Sequence, residues 1–153
     1  MMKSQDYSRN AASTCFPEGR NMWNARLGMI SEIGELSGFL KKQLFQRKEI
    51  DIEQLQLELG DVLWYLWLLC DVNSIVFSNV IDSAIPDTEQ VLGQIILNMI
   101  DSMTLEDPLD TATGIARSVK AAASILKIEI PDLMEQNINK LSARYAGKKI
   151  NAT

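Results

Sequence analysis

Residues 29–71 read MISEIGELSGFLKKQLFQRKEIDIEQLQLELGDVLWYLWLLCD, and the fold turns on this stretch. Apolar residues recur every three or four positions on both sides of one polar break, Gln46-Arg47-Lys48-Glu49. That period predicts two amphipathic helices. The first runs from about Asn21 to Phe45, with Met22, Met29, Ile33, Leu36 and Leu40 as its stripe. The second runs from about Asp51 to at least Asp71. Leu55, Leu59, Val62, Leu63, Leu66 and Leu69 form its apolar face, and Trp64, Trp67 and Leu68 extend that face nearly all round. A helix so apolar is buried on several sides, either at the centre of a domain or at a subunit interface. The short polar connection makes the two helices antiparallel neighbours.

Working outward, the rest of the chain also reads as helix, so the expected class is all-α. A first helix spans about Ser4 to Cys15, with Tyr7, Ala11 and Cys15 on one face, and Phe16-Pro17-Glu18-Gly19 is a turn. The segment Asn73–Ala84 reads neither way. A fourth helix is expected after Pro86, with Asp87 as cap and Gln90 three residues on in a capping-box pattern. Val91, Leu92, Ile95, Ile96, Met99 and Met103 follow at helical spacing. Glu106-Asp107-Pro108 is a loop, a fifth helix covers about Asp110 to Leu126, and a sixth starts at Pro131, a favoured first helical position. It runs to about Tyr145, where Gly147 stops it ahead of the basic tail Lys148–Thr153.

Two acidic pairs sit inside the apolar flanks: Glu32-Ile33-Gly34-Glu35 and Glu58-Leu59-Gly60-Asp61. Each is an i, i+3 pair, so both carboxylates of a pair leave the same helix face. The four positions lie symmetrically about Gln46-Arg47. In an antiparallel hairpin they meet at one level, roughly 20 Å from the turn at 1.5 Å per residue. The competing reading, solvated acids on two amphipathic helices, suits one pair better than two pairs placed symmetrically. Four carboxylates at one level repel unless a cation joins them. All-oxygen ligation favours Mg²⁺, with Mn²⁺ as the alternative. Gly34 and Gly60 are costly inside helices and suggest close helix approach at this level.

Composition narrows the rest. The chain has 153 residues, which suits one domain spanning 1–153. The net charge of −5 argues against broad binding to nucleic acid, which needs a basic face. There is no histidine, which excludes a histidine base, a Ser-His-Asp triad and any histidine-ligated zinc or di-iron site. Cys15 and Cys70 lie far apart among apolar neighbours and read as reduced core residues. The longest apolar run, Val62–Cys70, is too short to span a membrane, and Met1–Asn10 is polar. The expected location is the cytoplasm.

Leu27-Gly28-Met29-Ile30-Ser31-Glu32-Ile33-Gly34-Glu35-Leu36, followed by Leu57-Glu58-Leu59-Gly60-Asp61-Val62-Leu63-Trp64-Tyr65-Leu66, closely resembles the MazG-like, all-α nucleoside triphosphate pyrophosphatase superfamily with its E-E-x-x-E and E-x-x-D signature. The pattern Asn137-Ile138-Asn139-Lys140-Leu141-Ser142-Ala143-Arg144-Tyr145 and the N-terminal Tyr7…Ala11-Ala12-Ser13-Thr14 are similar too, so the resemblance covers 4–70 and about 121–146. The first Glu of the signature is Ser31 here, which leaves the number of metal ions open. Small members pass almost directly from the second acidic helix to the C-terminal one. Here about 50 residues, roughly 71–120, intervene and are expected to add a helical pair that covers the site or builds the dimer.

The resemblance implies Mg²⁺-dependent hydrolysis of a nucleoside triphosphate between its α and β phosphates, in house-cleaning or nucleotide-pool control. Glu32, Glu35, Glu58 and Asp61 would hold the metal, and Glu32 or Glu35 would take a proton from water. It also implies nucleotide contacts for Asn24, Asn137 and Lys140, and a homodimer or homotetramer. Lys140 and Arg144, at i, i+4 on one helix face, suit phosphate contact or simple solvation. Tyr65, four residues after Asp61, suits sugar or phosphate contact, or packing. Lys41 and Lys42 read as solvated charges, and Trp23 as a core or base-stacking residue. The alternatives are a dedicated dUTP, dCTP or phosphoribosyl-ATP pyrophosphatase, and a non-catalytic helical interaction protein.

Overall fold

The computed structural model describes residues 1–46 and 49–146; Arg47 and Lys48 of the expected turn, and the expected stop at Gly147 with its tail, lie outside them. Seven α-helices and a 3₁₀ turn make up the regular structure of the described residues, with no strand among them. They are α1 (Ser4–Ser13), the 3₁₀ turn Pro17–Gly19, α2 (Met22–Phe45), α3 (Ile52–Val72), α4 (Phe77–Ser83), α5 (Leu92–Met103), α6 (Pro108–Ile125) and α7 (Ile130–Arg144).

Side chains fix the starts of the long helices. Asn21 accepts from the Asn24 amide at 2.9 Å and opens α2. Asp51 accepts from the Gln54 amide at 3.0 Å and opens α3. Such caps satisfy amides that have no partner inside the helix. Gln43 Oε1 takes the Asp51 amide at 3.0 Å, tying the end of α2 to the start of α3. The two helices then run antiparallel, as expected. A Cβ on Gly28 of α2 would run into the Tyr65 ring of α3, so glycine allows the close approach here. Gly34, expected to do this, faces open space, because it leaves α2 on the side away from α3. Gly60 packs instead against Asn137 of α7.

The α2/α3 and α5/α6 hairpins form a four-helix bundle in which α3 packs on α6 and α2 on α5. On the outer side of α3, α7 and α1 lie against it, and α4 joins α1 to α6. Helix α3 is therefore central. Trp67 and Leu68 are buried by the chain's own helices, and Trp64 is partly buried against the core. Helix α3 packs on α6, whose alanine-rich face is buried: Ala112, Ala116, Ala122 and Ala123. Large residues against small ones bring the axes close. Cys15 and Cys70 are free and buried, as expected.

Three boundaries differ from the sequence expectation. The ambiguous stretch contains α4, whose seven residues bury Phe77, Val80 and Ile81. The helix expected from Asp87 starts at Leu92 instead. Asp87 accepts from the Glu89 amide at 3.1 Å, and Gln90 Oε1 accepts from Asn98 at 2.6 Å, so neither residue serves a capping box. A local turn satisfies the aspartate and leaves the helix to begin later. Helix α6 begins inside the expected loop, at Pro108, with Asp107 as cap.

Two helix ends use non-glycine residues in left-handed conformation, Ser74 (φ 56°) after α3 and Lys127 (φ 57°) after α6. In each the next amide reaches back to the helix: Ile75 to the Cys70 carbonyl at 2.9 Å, Ile128 to the Ala123 carbonyl at 3.0 Å. This is the Schellman closure, usually given to glycine.

Candidate metal centre

One face of α2 presents Asn24, Gly28, Glu32 and Glu35; one face of α3 presents Gln54, Glu58, Asp61 and Tyr65. The antiparallel approach sets these faces toward a cavity of about 400 Å³. All four acids line it. On the other walls are Lys140, Arg144 and Tyr145 from the end of α7, Trp64 and Tyr65 from α3, and Thr14, Phe16 and Gly19 from the first loop. Its size falls in the range of small-molecule sites.

Carboxylate oxygens of Glu32, Glu58 and Asp61 all lie within 4.8 Å of one another. Glu58 is only 6% exposed and is the one charged residue in the buried class among those described. Gln54 donates to its Oε1 at 3.0 Å, while its Oε2 and the Oε2 of Glu32 are buried with no hydrogen-bond donor among the described residues. A buried acceptor left without a donor costs free energy unless something electropositive meets it. Two of the three acids whose carboxylates converge thus carry an orphaned oxygen, so the donor set fits a hard divalent cation.

The electrostatics agree. Burial is the largest cause holding Glu32 up to about 8, followed by the charges of Asp61 and Glu35. Glu58 is pushed up to about 7, first by burial and then by the adjoining Glu35 carboxyl and Asp61. Asp61 is raised by burial, against the pull of its ion pair with Lys140 at 2.7 Å and of Arg144. Like charges crowded in a dry place favour protons, and a cation would replace those protons. Glu35 faces the cluster from a more exposed position and is not part of the compact triad.

The remaining expected residues divide. Lys140, Arg144 and Tyr65 line the cavity. Asn24 lines it as well, but its side-chain amide is engaged by the Gly19 carbonyl at 2.8 Å, where it holds the first loop in place. Asn137, expected to touch nucleotide, does not face the cavity. It is 2% exposed and sits behind Asp61, because Gly60 lets α7 press its side chain onto α3. No residue of 72–120 lines the cavity, so the inserted helices do not cover it; they complete the bundle on the far side of α2 and α3.

Sequence reasoning did not assign Thr14, Phe16, Trp64 and Tyr145 to the site. Trp64 stands three residues after Asp61, the spacing that could have placed it there, and its Nε1 donates to Thr14 Oγ1 at 3.0 Å. Phe16 and Tyr145 meet edge to face at 5.5 Å between centroids. Arg20 bonds Asp71 through two nitrogens, at 2.8 and 3.1 Å, and lies over Trp67, pinning the loop that carries Phe16 to the end of α3. The cavity thus has an acidic floor, two cationic side chains on the α7 wall and aromatic rings on its remaining walls. Searches against protein-family models, curated proteins and solved structures find no match to this chain.

Proposed function

We propose that the protein is a divalent-cation-dependent nucleotide pyrophosphohydrolase of the MazG-like kind, cutting a nucleoside triphosphate between its α and β phosphates. The observation that carries this reading is the meeting of Glu32, Glu58 and Asp61 within 4.8 Å in a cavity that also holds Lys140 and Arg144. Acids that hold a hard cation beside side chains that attract phosphate are what a metal-bridged polyphosphate needs. Aromatic walls add a surface for a planar ring.

Glu32, Glu58 and Asp61 would hold Mg²⁺ or Mn²⁺. Bound there, the ion would neutralise phosphate charge and favour attack by water. The chain's own residues do the rest. Lys140, paired with Asp61 in the metal-free protein, and Arg144 beside it would meet the phosphate oxygens of the substrate. Glu35, beside the triad but outside it, accepts the proton of the attacking water. Trp64, Tyr65, Phe16 and Tyr145 bound the organic end of the substrate and keep bulk water from the floor. The non-catalytic alternative rests on the broadly apolar helix α3, and the assay below separates the two readings.

The test is a panel of nucleoside triphosphates, with phosphoribosyl-ATP, assayed with Mg²⁺ for pyrophosphate release. The wild type releases pyrophosphate, Glu35→Gln loses about 10²–10⁴-fold in turnover while still binding Mn²⁺, and Asp61→Asn loses both turnover and metal. Activity on one pyrimidine nucleotide alone identifies a dedicated enzyme. No release from any substrate, or full activity in Glu35→Gln, overturns the reading.

A further inference from the structure

Behind the metal centre runs a chain of hydrogen bonds whose inner members, Tyr7 and Asn137, are buried. Tyr7 on α1 is fully buried, and its hydroxyl donates to Asn137 Oδ1 at 2.8 Å. Asn137, on α7 and 2% exposed, turns its Nδ2 toward Asp61 Oδ1 at 3.5 Å. Lys140, one turn further along α7, takes the other oxygen, Oδ2, at 2.7 Å. An amide has one accepting and one donating end, and only its partners decide which end faces where. Here one partner, the Asp61 carboxylate, only accepts, so the donor end of Asn137 faces it. The Tyr7 hydroxyl, held well above its usual range by burial and the nearby Asp61 charge, keeps its proton and donates it to the acceptor end, anchoring that end to α1.

Gly60 makes this possible. A Cβ at that position would stand 3.2 Å from the Asn137 Cβ and 3.3 Å from its Nδ2, tighter than side chains normally pack. The glycine next to Asp61 therefore lets Asn137 approach at the height of the metal centre, and α1 supplies the residue that orients it.

We propose that Tyr7 and Asn137 are positioning residues for the metal centre: the phenol locks the asparagine amide with its NH₂ toward Asp61, and this fixes the Asp61 carboxylate in the orientation that receives the cation. The inference rests on the metal-centre part of the function proposed above, but not on the reaction. Without the hydroxyl, the carbonyl end of the amide loses its anchor on α1, so the NH₂ group no longer holds the Asp61 carboxylate in one orientation. Partners that orient a ligand from outside its coordination shell change metal affinity by about 10–100-fold.

The test is a titration of the metal-free, full-length protein with Mn²⁺ alone, followed by paramagnetic resonance or calorimetry. Tyr7→Phe weakens Mn²⁺ binding by about 10-fold, and Asn137→Leu weakens it at least as much. Because Tyr7 acts only through Asn137, adding Tyr7→Phe to Asn137→Leu causes no further loss. Ile81→Ala, a core truncation on α4, lowers the melting temperature and leaves the Mn²⁺ affinity unchanged. If Tyr7→Phe does not fold, Asn137→Leu carries the same test with the hydroxyl retained. Wild-type affinity in Tyr7→Phe or Asn137→Leu, or an undiminished Tyr7→Phe effect in the double variant, overturns the proposal and leaves the metal centre standing. Failure of the wild type to bind Mn²⁺ removes the metal centre itself, and this proposal with it.

Discussion

The α2/α3 and α5/α6 hairpins stand side by side in one bundle, yet their sequences treat the space between helices differently. Between α5 and α6 the approach is close and nearly free of acids: Gly114 lies so near Ser102 that a Cβ would collide with its hydroxyl, Ile95, Met99, Ile115 and Val119 are buried, and the smaller cavity of about 250 Å³ on this side has one acid, Asp87, in its lining. Between α2 and α3 the inward faces open instead into a cavity floored by carboxylates, two of them with a buried oxygen that has no donor among the described residues. One hairpin is packed for density. The other keeps an electrostatic cost that only a bound cation or protons relieve.

If that contrast is right, substitutions in the two hairpins have opposite signatures. The largest effect belongs to Glu58→Gln, which removes a buried ligand. Mn²⁺ affinity falls by more than about 100-fold, while the metal-free protein melts at a higher temperature than the wild type, because an ill-paired charge has gone. Calorimetry with and without Mn²⁺ reads both changes, and a metal-free Glu58→Gln protein less stable than the wild type would break the comparison. Next comes Gly114→Val in the packed hairpin, which costs about 1–3 kcal/mol by overpacking and leaves the Mn²⁺ affinity unchanged. Urea unfolding beside a metal titration separates the two.

A pH profile sharpens the contrast further. Glu32 at about 8 and Glu58 at about 7 both stand above the ordinary 4.5 of glutamate. Between 4.5 and those values the native metal-free state holds more protons than the unfolded chain, so its stability falls as pH rises through that window. The cation competes with those same protons, so the rise in melting temperature on adding Mg²⁺ grows from pH 6 to pH 8. Melting curves across this range in Glu32→Gln should be flatter. A Mg²⁺ effect independent of pH would contradict the assignment. The smallest effect is Gly34→Ala: its Cβ would meet open space on an otherwise regular helix, and it should stabilise by up to about 1 kcal/mol in denaturant unfolding.

The α2/α3 hairpin and its acids were legible because the signal is local: a 3.6-residue period, a short break and two i, i+3 pairs symmetric about it. The rest was hidden for identifiable reasons. Helix α4 is seven residues long, too short for periodicity to declare itself, and it is held by tertiary burial of Phe77 and Ile81. Asp87 and Gln90 have the letters of a capping box, but a local turn and Asn98 engage them. Gly34 and Gly60 look alike in sequence, and only the third dimension shows one open and the other pressed by α7. Asn137 stands in the right pattern and in the wrong place for ligand contact, because the i, i+3 step to Lys140 does not reveal which of the two faces the cavity. The aromatic walls come from elements far apart in the chain, and no single window contains them.

Diffraction from crystals of the full-length chain soaked in Mn²⁺, recorded near the manganese absorption edge, would address the metal centre most directly. The expected result is an anomalous peak among the carboxylate oxygens of Glu32, Glu58 and Asp61, with Lys140 drawn away from Asp61. A map with no peak in that cavity, and the Lys140–Asp61 ion pair intact at saturating Mn²⁺, would contradict it.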